Sequence, residues 1–302
     1  MTPTPDTTTD PGSQAWTSRR LLDWMGTAFA ERGLDSPRLV AEMLLAHVIG
    51  CDRMRLYMEA DRPASPEERE QLRAFVARAL RHEPVQYLTG EAWFFSLPFT
   101  VDRRVLIPRP STATIVEEVL QRARTEAPPA TIADVCTGSG CLAIALLRNL
   151  PEARCLATDL SPDALDVARL NAGRLGVTER IQFRQGDLLA PLGDHTFDLL
   201  VANPPYIPDH EWPDVAPNVR DHEPHQALRA SPDGLTFVFP VIEGAAARLR
   251  PGGRLFVEIA SCTAEAVMAR AATLSELQDA TILDDFEGLP RVFMARRAGP
   301  RP

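Results

Sequence analysis

From Thr112 onward the chain alternates between short apolar runs and amphipathic stretches, and this alternation limits its fold more than any other feature. The strand-like runs fall at 131–135, 154–159, 180–185, 197–202, 253–259, 280–283 and 291–296. The helical patterns fall at 142–149, 162–175, 234–249 and 264–274. Because parallel strands need a long crossover, usually a helix, this order predicts a parallel, doubly wound α/β sheet. Such sheets bind ligands at the carboxyl ends of their strands.

The residues ahead of this region show helical periodicity. Apolar side chains from Leu21 to Phe29 recur at helix spacing, and Ser65-Pro66-Glu67-Glu68 has the form of a capping box with proline at the first helical position. We therefore predict a small helical-bundle domain over residues 15–84.

The boundaries of this domain are marked by changes in composition. Residues 1–14 are polar and lack the basic and apolar regions of a signal peptide, which predicts a disordered tail. Residues 85–108 are rich in aromatic side chains and are interrupted by Gly90 and Pro98, which predicts a hairpin linking the helical domain to the α/β domain over 109–302.

The composition is typical of a globular protein in a reducing compartment. Of the 302 residues, 45% are hydrophobic and 24% charged, and no apolar run is long enough to span a bilayer. The five cysteines form no Cys-x-x-Cys pair, and the six histidines show no metal-ligand spacing. We therefore expect a cytoplasmic protein without a disulfide framework, a bound metal or a membrane partner. The net charge of −9 argues against direct binding of nucleic acid.

Three successive strand ends carry residues suited to an adenosine-type cofactor. The first runs into Cys136-Thr137-Gly138-Ser139-Gly140, where glycines let the backbone approach a ligand closely. Asp159 ends the second, where a carboxylate can accept both hydroxyls of a ribose, and Asp187 follows the third, where it can accept from an adenine amine. Ala143 stands where a dinucleotide fingerprint has its third glycine, which favours a cofactor without a pyrophosphate.

The fourth predicted strand ends in Asn203-Pro204-Pro205-Tyr206, a rigid corner flanked by an amide and a phenol. A planar amide or aromatic amine is a poor nucleophile because its lone pair is delocalised. A catalyst must therefore hold its N–H groups and aim the nitrogen at an electrophilic carbon. Asn203 offers a side-chain oxygen, Pro204 a backbone carbonyl of locked direction, and Tyr206 a face for stacking. We identify these four residues as the candidate catalytic group.

This tetrapeptide resembles the Asp/Asn-Pro-Pro-Tyr signature of S-adenosylmethionine-dependent methyltransferases that act on planar nitrogens. Over about residues 17 to 298 the chain is similar to the HemK-type protein-glutamine methyltransferases, in the stretches Glu83–Gly90, Phe95–Phe99, Val105–Pro110, Cys136–Gly140, Asn203–Tyr206 and Glu223–Leu228. The resemblance implies a Rossmann-like class I methyltransferase sheet, joined by a β-hairpin to a small N-terminal helical-bundle domain, and S-adenosyl-L-methionine as cofactor.

The resemblance also implies a substrate and roles for individual residues. The best-known branch of the family methylates the side-chain amide of the glutamine in the Gly-Gly-Gln motif of class 1 peptide chain release factors, with substrate recognition assigned to the N-terminal helical domain. Carried over by position, the cofactor-binding residues are Cys136, Thr137, Gly138, Ser139, Gly140, Asp159, Asp187, Leu188 and Asn203. Asn203 and the carbonyl of Pro204 would hold the glutamine, while Pro205 and Tyr206 would shape its slot.

Two departures from the family pattern bear on activity. The family usually follows Ile-Pro-Arg-Pro with Asp-Thr-Glu, whereas this chain has Ser111-Thr112-Ala113. The family usually ends its fifth strand with Glu-Ile-Gly, whereas this chain has Glu258-Ile259-Ala260. We expect the lost carboxylates to weaken the positioning of the cofactor or of a loop.

Three alternatives stay open at this point. Cys136 at the start of the glycine turn resembles the sister branch, which modifies a glutamine of a large-subunit ribosomal protein. The same tetrapeptide serves methylation of adenine or cytosine in nucleic acid, although that chemistry predicts a basic face and a base-flipping domain, whereas this chain is acidic. The acidic residues missing after Pro110 would also suit a non-catalytic paralogue.

Overall fold

The computed structural model describes residues 15–299, so the tail predicted over residues 1–14 lies outside the described part of the chain. The chain divides into two compact units, one ending at Thr89 and the other beginning at Gly90. Among the described residues, no helix combines the length and the hydropathy that crossing a membrane requires.

The first unit is the predicted helical bundle. Its helices are α1 Ser18–Glu31, α2 Pro37–Ile49, α3 Arg53–Met58, α4 Pro66–Ala79 and α5 Val85–Thr89. The capping box at the start of α4 is present: the Glu68 amide donates to Ser65 Oγ at 3.2 Å, and the Ser65 amide donates to Glu68 Oε2 at 2.8 Å. The helices enclose a hydrophobic core of their own that includes Leu22, Met25, Phe29, Leu44, Leu45 and Leu72. The predicted helical bundle is confirmed, but it extends to Thr89, because residues 85–89, predicted as the start of the hairpin linker, form the helix α5.

The second unit begins with the predicted hairpin. Strand β1 Glu91–Phe94 pairs antiparallel with β2 Leu97–Thr100, and Phe95 and Ser96 make the turn with positive φ angles. The remaining helices are α6 Ala113–Arg122, α7 Cys141–Asn149, α8 Pro162–Arg174, α9 Pro217–Arg220, α10 Val238–Arg248 and α11 Ala264–Ala271. The remaining strands are β3 Thr131–Val135, β4 Arg154–Asp159, β5 Ile181–Gln185, β6 Phe197–Ala202, β7 Leu249–Glu258, β8 Leu277–Asp284 and β9 Pro290–Arg297.

The seven later strands form one sheet in the order β5-β4-β3-β6-β7-β9-β8. The first five are parallel, as predicted, but β9 runs antiparallel to both β7 and β8. The sheet is therefore mostly parallel, as predicted, and the prediction is wrong for β9 alone, because β8 runs antiparallel to β9 and so in the same direction as β7. Only the short segment 285–289 connects β8 to β9, and a connection of this length allows a hairpin but not a parallel crossover. Doubly wound sheets commonly include an antiparallel strand at or near one edge, and here β9 is next to the edge strand β8.

The strand order reverses at β3, whose neighbours are β4 and β6. The parallel register places Val135 beside both Thr158 of β4 and Ala202 of β6. The residues that follow these three positions must therefore meet at one edge of the sheet, at the switch point where doubly wound sheets bind ligands. Ile132, Leu200 and Phe256, on three adjacent central strands, are fully buried, so the sheet beneath this edge is a packed support.

Candidate active site

An open cleft with about 1070 Å³ of empty space lies at the carboxyl ends of β3, β4, β5 and β6. The residues predicted from the sequence that line it are Cys136, Thr137, Gly138, Ser139, Asp159, Asp187, Leu188, Asn203 and Pro205. Gly140, Pro204 and Tyr206 lie beside the cleft and do not line it. The fold therefore brings residues from four separate strand ends to one concave site, the kind of place where small-molecule ligands bind.

The glycine turn after β3 is held by backbone hydrogen bonds. The Thr137 amide donates to the Thr158 carbonyl at 2.9 Å, and the Gly140 amide donates to the Thr137 carbonyl at 2.8 Å. Apart from its chain neighbours, none of the described residues has an atom within 4 Å of the place a Cβ would occupy at Gly138 (φ +54°), whereas a Cβ at Gly140 would lie 3.0 Å from Ile144 Cδ1. Gly138 thus leaves space in the wall of the cleft, and Gly140 lets two helices pack closely.

Asp159 is tied to the same turn. Its Oδ2 accepts from the Gly138 amide at 2.8 Å, and its Oδ1 accepts from the Ser161 amide at 2.9 Å. Burial raises the pKa of Asp159, and these backbone donors oppose that rise. Each carboxylate oxygen has two lone pairs, so the group keeps acceptor capacity for hydroxyls of a ligand in the cleft.

A second carboxyl group, which the sequence analysis missed, lies beneath the turn. Asp134 on β3 is fully buried, and its Oδ2 accepts from Thr137 Oγ1 at 2.6 Å and from the Ala143 amide at 3.2 Å. Burial raises the pKa of Asp134 to about 7. Its Oδ1 has no hydrogen-bond partner among the described residues. One signal in the sequence could have identified Asp134, because it is an acidic residue inside an otherwise apolar strand. Acidic side chains are seldom fully buried unless they have a hydrogen-bond partner or a specific role.

Asn203 occupies the boundary between the cleft and a second cavity with about 620 Å³ of empty space. The second cavity is largely apolar and is lined by Leu106, Arg109, Asn203, Tyr206, Ile207, Val215, Val219, Ala227 and Leu228. The loop after Asn203 is anchored because the Ile207 amide donates to the Leu228 carbonyl at 2.9 Å and the Ala230 amide donates to the Ile207 carbonyl at 3.0 Å. Asn203 can therefore contact molecules in both cavities at once.

The side chains on either side of the two prolines are themselves hydrogen-bonded. Asn203 Nδ2 donates to Thr112 Oγ1 at 3.3 Å, and the Tyr206 hydroxyl donates to Glu258 Oε1 at 2.8 Å. Burial, followed by the neighbouring Glu258, raises the pKa of Tyr206 well above its ordinary value, so the phenol stays protonated. Thr112 and Glu258 stand in motifs that depart from the family pattern, and neither was predicted from the sequence as a site residue.

A buried ion pair joins two of the stretches on which the family resemblance rested. Glu223 accepts from the Ile107 amide at 3.0 Å and pairs with Arg109 at 2.6 Å. Burial raises the pKa of Glu223, while Arg109 and the Ile107 amide favour its charged form. This pairing fixes the segment 105–110 against the segment 223–228, and both segments contribute walls to the two cavities.

Three positions depart from the family pattern, and none of them lines the cleft or the second cavity. Ser111 and Ala113 line neither cavity, and Ala260 is buried after the end of β7. Thr112, the member of the Ser111–Ala113 stretch that matches the family pattern, lines the cleft.

Three side chains with metal-binding atoms come together outside the cavities. His210, Glu211 and Cys262 place their donor atoms within 4.8 Å of one another, although the sequence analysis did not single them out. His210 and Cys262 are exposed, and a nitrogen, an oxygen and a sulfur donor do not select one metal ion.

Comparison with known proteins gives concordant results for both units. Residues 20–90 match the family described as PrmC N-terminal domain, and residues 112–220 match the family described as Methyltransferase small domain. A release factor glutamine methyltransferase of Geobacter sulfurreducens is 41% identical over 283 residues, which cover 94% of this chain and 98% of that protein. One of Chlorobaculum tepidum is 43% identical over 289 residues, covering 93% of this chain and 97% of that protein.

Solved structures also show that this chain has the fold of a methyltransferase. The hMettl16 catalytic domain, in complex with MAT2A 3'UTR hairpin 1, covers 76% of this chain and 80% of its own, with a TM-score of 0.55 and 14% sequence identity. At that identity the likeness concerns the class I methyltransferase fold alone.

Proposed function

This chain belongs to the family of release factor glutamine methyltransferases, and from this premise we propose that it methylates the glutamine of the Gly-Gly-Gln motif in class 1 peptide chain release factors. The methyl group would come from S-adenosyl-L-methionine and would be transferred to the side-chain amide nitrogen. The observation that carries the proposal is the place of Asn203, which lines both the cleft at the strand ends and the apolar second cavity.

The residues of the cleft fit S-adenosylmethionine. Asp159 keeps free lone pairs for the two ribose hydroxyls, and the open wall at Gly138 leaves room for close approach to the backbone. Leu142 and Leu188 supply apolar surface for a purine, beside Asp187 for its exocyclic amine. When bound, the cofactor supplies an electrophilic methyl group on a sulfonium sulfur.

The second cavity fits a glutamine side chain. Asn203 Oδ1 and the carbonyl of Pro204 can accept the two N–H bonds of the substrate amide, which turns the nitrogen toward the cleft. Two consecutive prolines lock the direction of that carbonyl. Apolar side chains such as Val219 and Leu228 exclude water from the amide, so each hydrogen bond is stronger than it would be in solvent.

Catalysis by these residues would be chiefly positioning and electrostatic stabilisation. The bond between the methyl carbon and the sulfonium sulfur would break as the nitrogen–carbon bond forms, leaving a neutral thioether. The nitrogen would become more positive and would then release one proton to water in the open cleft. Two oxygens already placed on its N–H bonds stabilise that growing charge without reorganisation. The Cys136 thiol, whose pKa burial raises, stays protonated, and a covalent intermediate on it is not required.

The remaining expectations are part of the same proposal. The helical unit ending at Thr89 would recognise the body of the release factor, while the unit from Gly90 would carry the chemistry. Release factors act in the cytoplasm, which is where we place the protein. The net charge of −9 disfavours a nucleic-acid substrate.

The experiment that tests this function offers the protein labelled S-adenosylmethionine together with one of three acceptors. These are a purified class 1 release factor, ribosomal large subunits, and DNA. We expect label in the release factor alone, and none in a matched release factor whose motif glutamine is replaced by alanine. Asn203→Ala should reduce turnover by about 100-fold or more while cofactor affinity changes by less than about 3-fold.

Two outcomes would reject the proposal. Label confined to ribosomal protein or to DNA would move the protein to another substrate class. Failure to bind S-adenosylmethionine in a calorimetric titration would leave a non-catalytic paralogue.

A further inference from the structure

The side-chain amide of the substrate has an oxygen that needs a hydrogen-bond donor. Asn203 Oδ1 and the Pro204 carbonyl are assigned to the two N–H bonds of that amide, and an acceptor cannot serve its oxygen. In a largely apolar cavity this oxygen loses the hydrogen bonds that it makes with water. Buried polar groups nearly always have a partner, so a site built for an amide has to supply a donor here.

Arg109 has the largest number of unused donors among the side chains that line the second cavity. A guanidinium carries five N–H groups, and the structure engages one nitrogen of Arg109, Nη2, with Glu223 at 2.6 Å. Asn203 Nδ2 already donates one hydrogen within the protein, and the single hydroxyl hydrogen of Tyr206 is engaged as well. The other lining side chains are aliphatic.

The unused donors of Arg109 are accessible. Within residues 15–299, Nε and Nη1 have no hydrogen-bond partner, and neither of them is a buried atom. The Arg109 side chain is 27% exposed, whereas the Glu223 side chain is 0% exposed. Arg109 lines the cleft as well as the second cavity, as Asn203 does. Its free N–H groups therefore lie where the cofactor methyl group and the substrate amide would meet.

Glu223 fixes the guanidinium of Arg109 and balances its charge. Glu223 Oε1 accepts from Arg109, and Oε2 accepts from the Ile107 amide at 3.0 Å, so the carboxylate is anchored through both oxygens. A planar guanidinium held at one nitrogen presents its other N–H groups in set directions. An unpaired cation at this boundary would repel the sulfonium of the cofactor, and the carboxylate 2.6 Å away offsets that repulsion.

We propose that Arg109 binds the substrate by donating a hydrogen bond to the side-chain oxygen of its glutamine. The amide is then held at its oxygen by Arg109 and at its two N–H bonds by Asn203 and the Pro204 carbonyl. Three contacts fix the plane of the amide as well as its position, and turn one face of the nitrogen toward the cleft. This inference rests on the proposed function for the identity of the substrate.

A double variant separates substrate binding from a purely structural role of the ion pair. Arg109→Met alone would leave Glu223 buried and unpaired, whereas Arg109→Met/Glu223→Gln removes both charges and keeps an acceptor for the Ile107 amide. We expect the double variant to melt near the wild-type temperature and its kcat/KM for the release factor to fall by about 10- to 100-fold. Recovery of kcat/KM together with the melting temperature would show that the pair only supports the fold.

Two further variants control for a change in folding and for the loss of an ion pair. Arg109→Lys keeps the charge beside Glu223 but has one ammonium group for two partners, so kcat/KM should still fall by about 10-fold in a folded protein. Arg270→Met removes an arginine that pairs with Glu243 at 2.7 Å and lines neither cavity, and should keep kcat/KM within about 3-fold of wild type. Wild-type kcat/KM in Arg109→Lys would contradict the inference.

Calorimetry decides whether Arg109 serves the substrate or the cofactor. The dissociation constant of S-adenosylmethionine should change by less than about 3-fold in Arg109→Lys and in the double variant, because the contact assigned to Arg109 is with the substrate. A loss of cofactor affinity as large as the loss of kcat/KM would place the guanidinium on the carboxylate of the cofactor, and the inference would be wrong.

A binding measurement without catalysis distinguishes failure of this inference from failure of the proposed function. The probe is the peptide Gly-Gly-Gln with both ends blocked as methylated amides, added to protein saturated with S-adenosylhomocysteine. We expect the ¹⁵N–¹H signal of Arg109 Nε to shift with this peptide and to stay in place with a matched peptide that has leucine instead of glutamine. An unmoved signal would overturn the inference even if the release factor is methylated. A shifted signal in a protein that does not methylate the release factor would reject only the proposed function.

Discussion

At the scale of single residues, the site depends on which atoms of short polar side chains are already engaged. The Asp159 carboxylate accepts hydrogen bonds from two backbone amides and has lone pairs left for a ligand. Asn203 donates from Nδ2 to Thr112, which leaves its Oδ1 able to accept a hydrogen bond. Asp134 is the extreme case, because it is fully buried and one of its oxygens is without a partner among the described residues. Such a group makes stability depend on pH.

We expect Asp134 to destabilise the folded protein increasingly as pH rises from about 4 to about 7. Its folded pKa, about 7, lies above its ordinary value of 3.8, so the folded state holds a proton that the unfolded state has released. The stabilisation is present at low pH and is lost as pH rises through 7. From pH 5 to pH 8, the unfolding free energy of wild type should fall by about 2 to 3 kcal/mol relative to Asp134→Asn.

The measurement is urea unfolding of both proteins at several pH values. Asparagine keeps the size of the side chain and an oxygen for Thr137 and Ala143, so the comparison isolates the titration. If the unfolding free energies of wild type and Asp134→Asn change with pH in the same way, Asp134 titrates near its ordinary pKa.

At the scale of elements, the turn between β3 and α7 has to satisfy both packing and ligand access. Gly138 leaves space in the cleft wall, whereas Gly140 (φ +81°) lies against Ile144 and against Ala168 of α8. Gly138 therefore affects the space available to a ligand, and Gly140 affects the packing between α7 and α8.

Gly140→Ala should therefore destabilise the protein more than an equally left-handed glycine in open space. In the described part of the chain, no residue other than its chain neighbours comes within 4 Å of a Cβ position at Gly176 (φ +70°), so Gly176→Ala measures the backbone strain alone. A Cβ at Gly140 would also meet Ile144 Cδ1 at 3.0 Å and Ala168 Cβ at 3.3 Å. We expect Gly140→Ala to lower the unfolding free energy by about 1 to 3 kcal/mol more than Gly176→Ala does. Equal losses in chemical denaturation would show that α7 and α8 can move apart freely.

At the scale of the whole molecule, the chain has two units with separate hydrophobic cores. One core includes Met25, Phe29 and Leu44, and the other includes Ile242, Leu255 and Phe293. Every residue that lines the two cavities lies in the unit from Gly90 onward. We therefore propose that this unit binds the cofactor and that the helical unit contributes to recognition of the protein substrate.

A chain that begins at Gly90 should bind S-adenosylmethionine with an affinity within about 3-fold of the full protein, because its binding pocket is complete. Its kcat/KM for the release factor should fall by about 10-fold or more, because the contacts assigned to the helical unit are lost. Calorimetry and steady-state kinetics measure the two quantities, and circular dichroism checks that the shortened chain is folded. An unchanged kcat/KM would remove the helical unit from substrate recognition.

Much of the fold could be predicted because its signals are local. The capping box at Ser65 and the five parallel strands β3 to β7 follow from hydrophobic period and end signals, and both are confirmed. The antiparallel direction of β9 was missed, since an apolar run has the same composition whichever way it pairs. The cavity-lining positions of Cys136, Asp159 and Asn203 were predictable because parallel strand ends share one edge of the sheet. Their binding roles remain predictions.

The sequence by itself determined the kind of fold, the family and the short motifs at the strand ends, because these depend on residue type and spacing along the chain. Only the tertiary structure decided which polar atoms meet. Thr112 lies far from Asn203 in the chain and Glu258 lies far from Tyr206, yet Asn203 meets Thr112 and Tyr206 meets Glu258 through hydrogen bonds. Such contacts depend on how β6, β7 and the start of α6 pack together, and no local pattern encodes that packing.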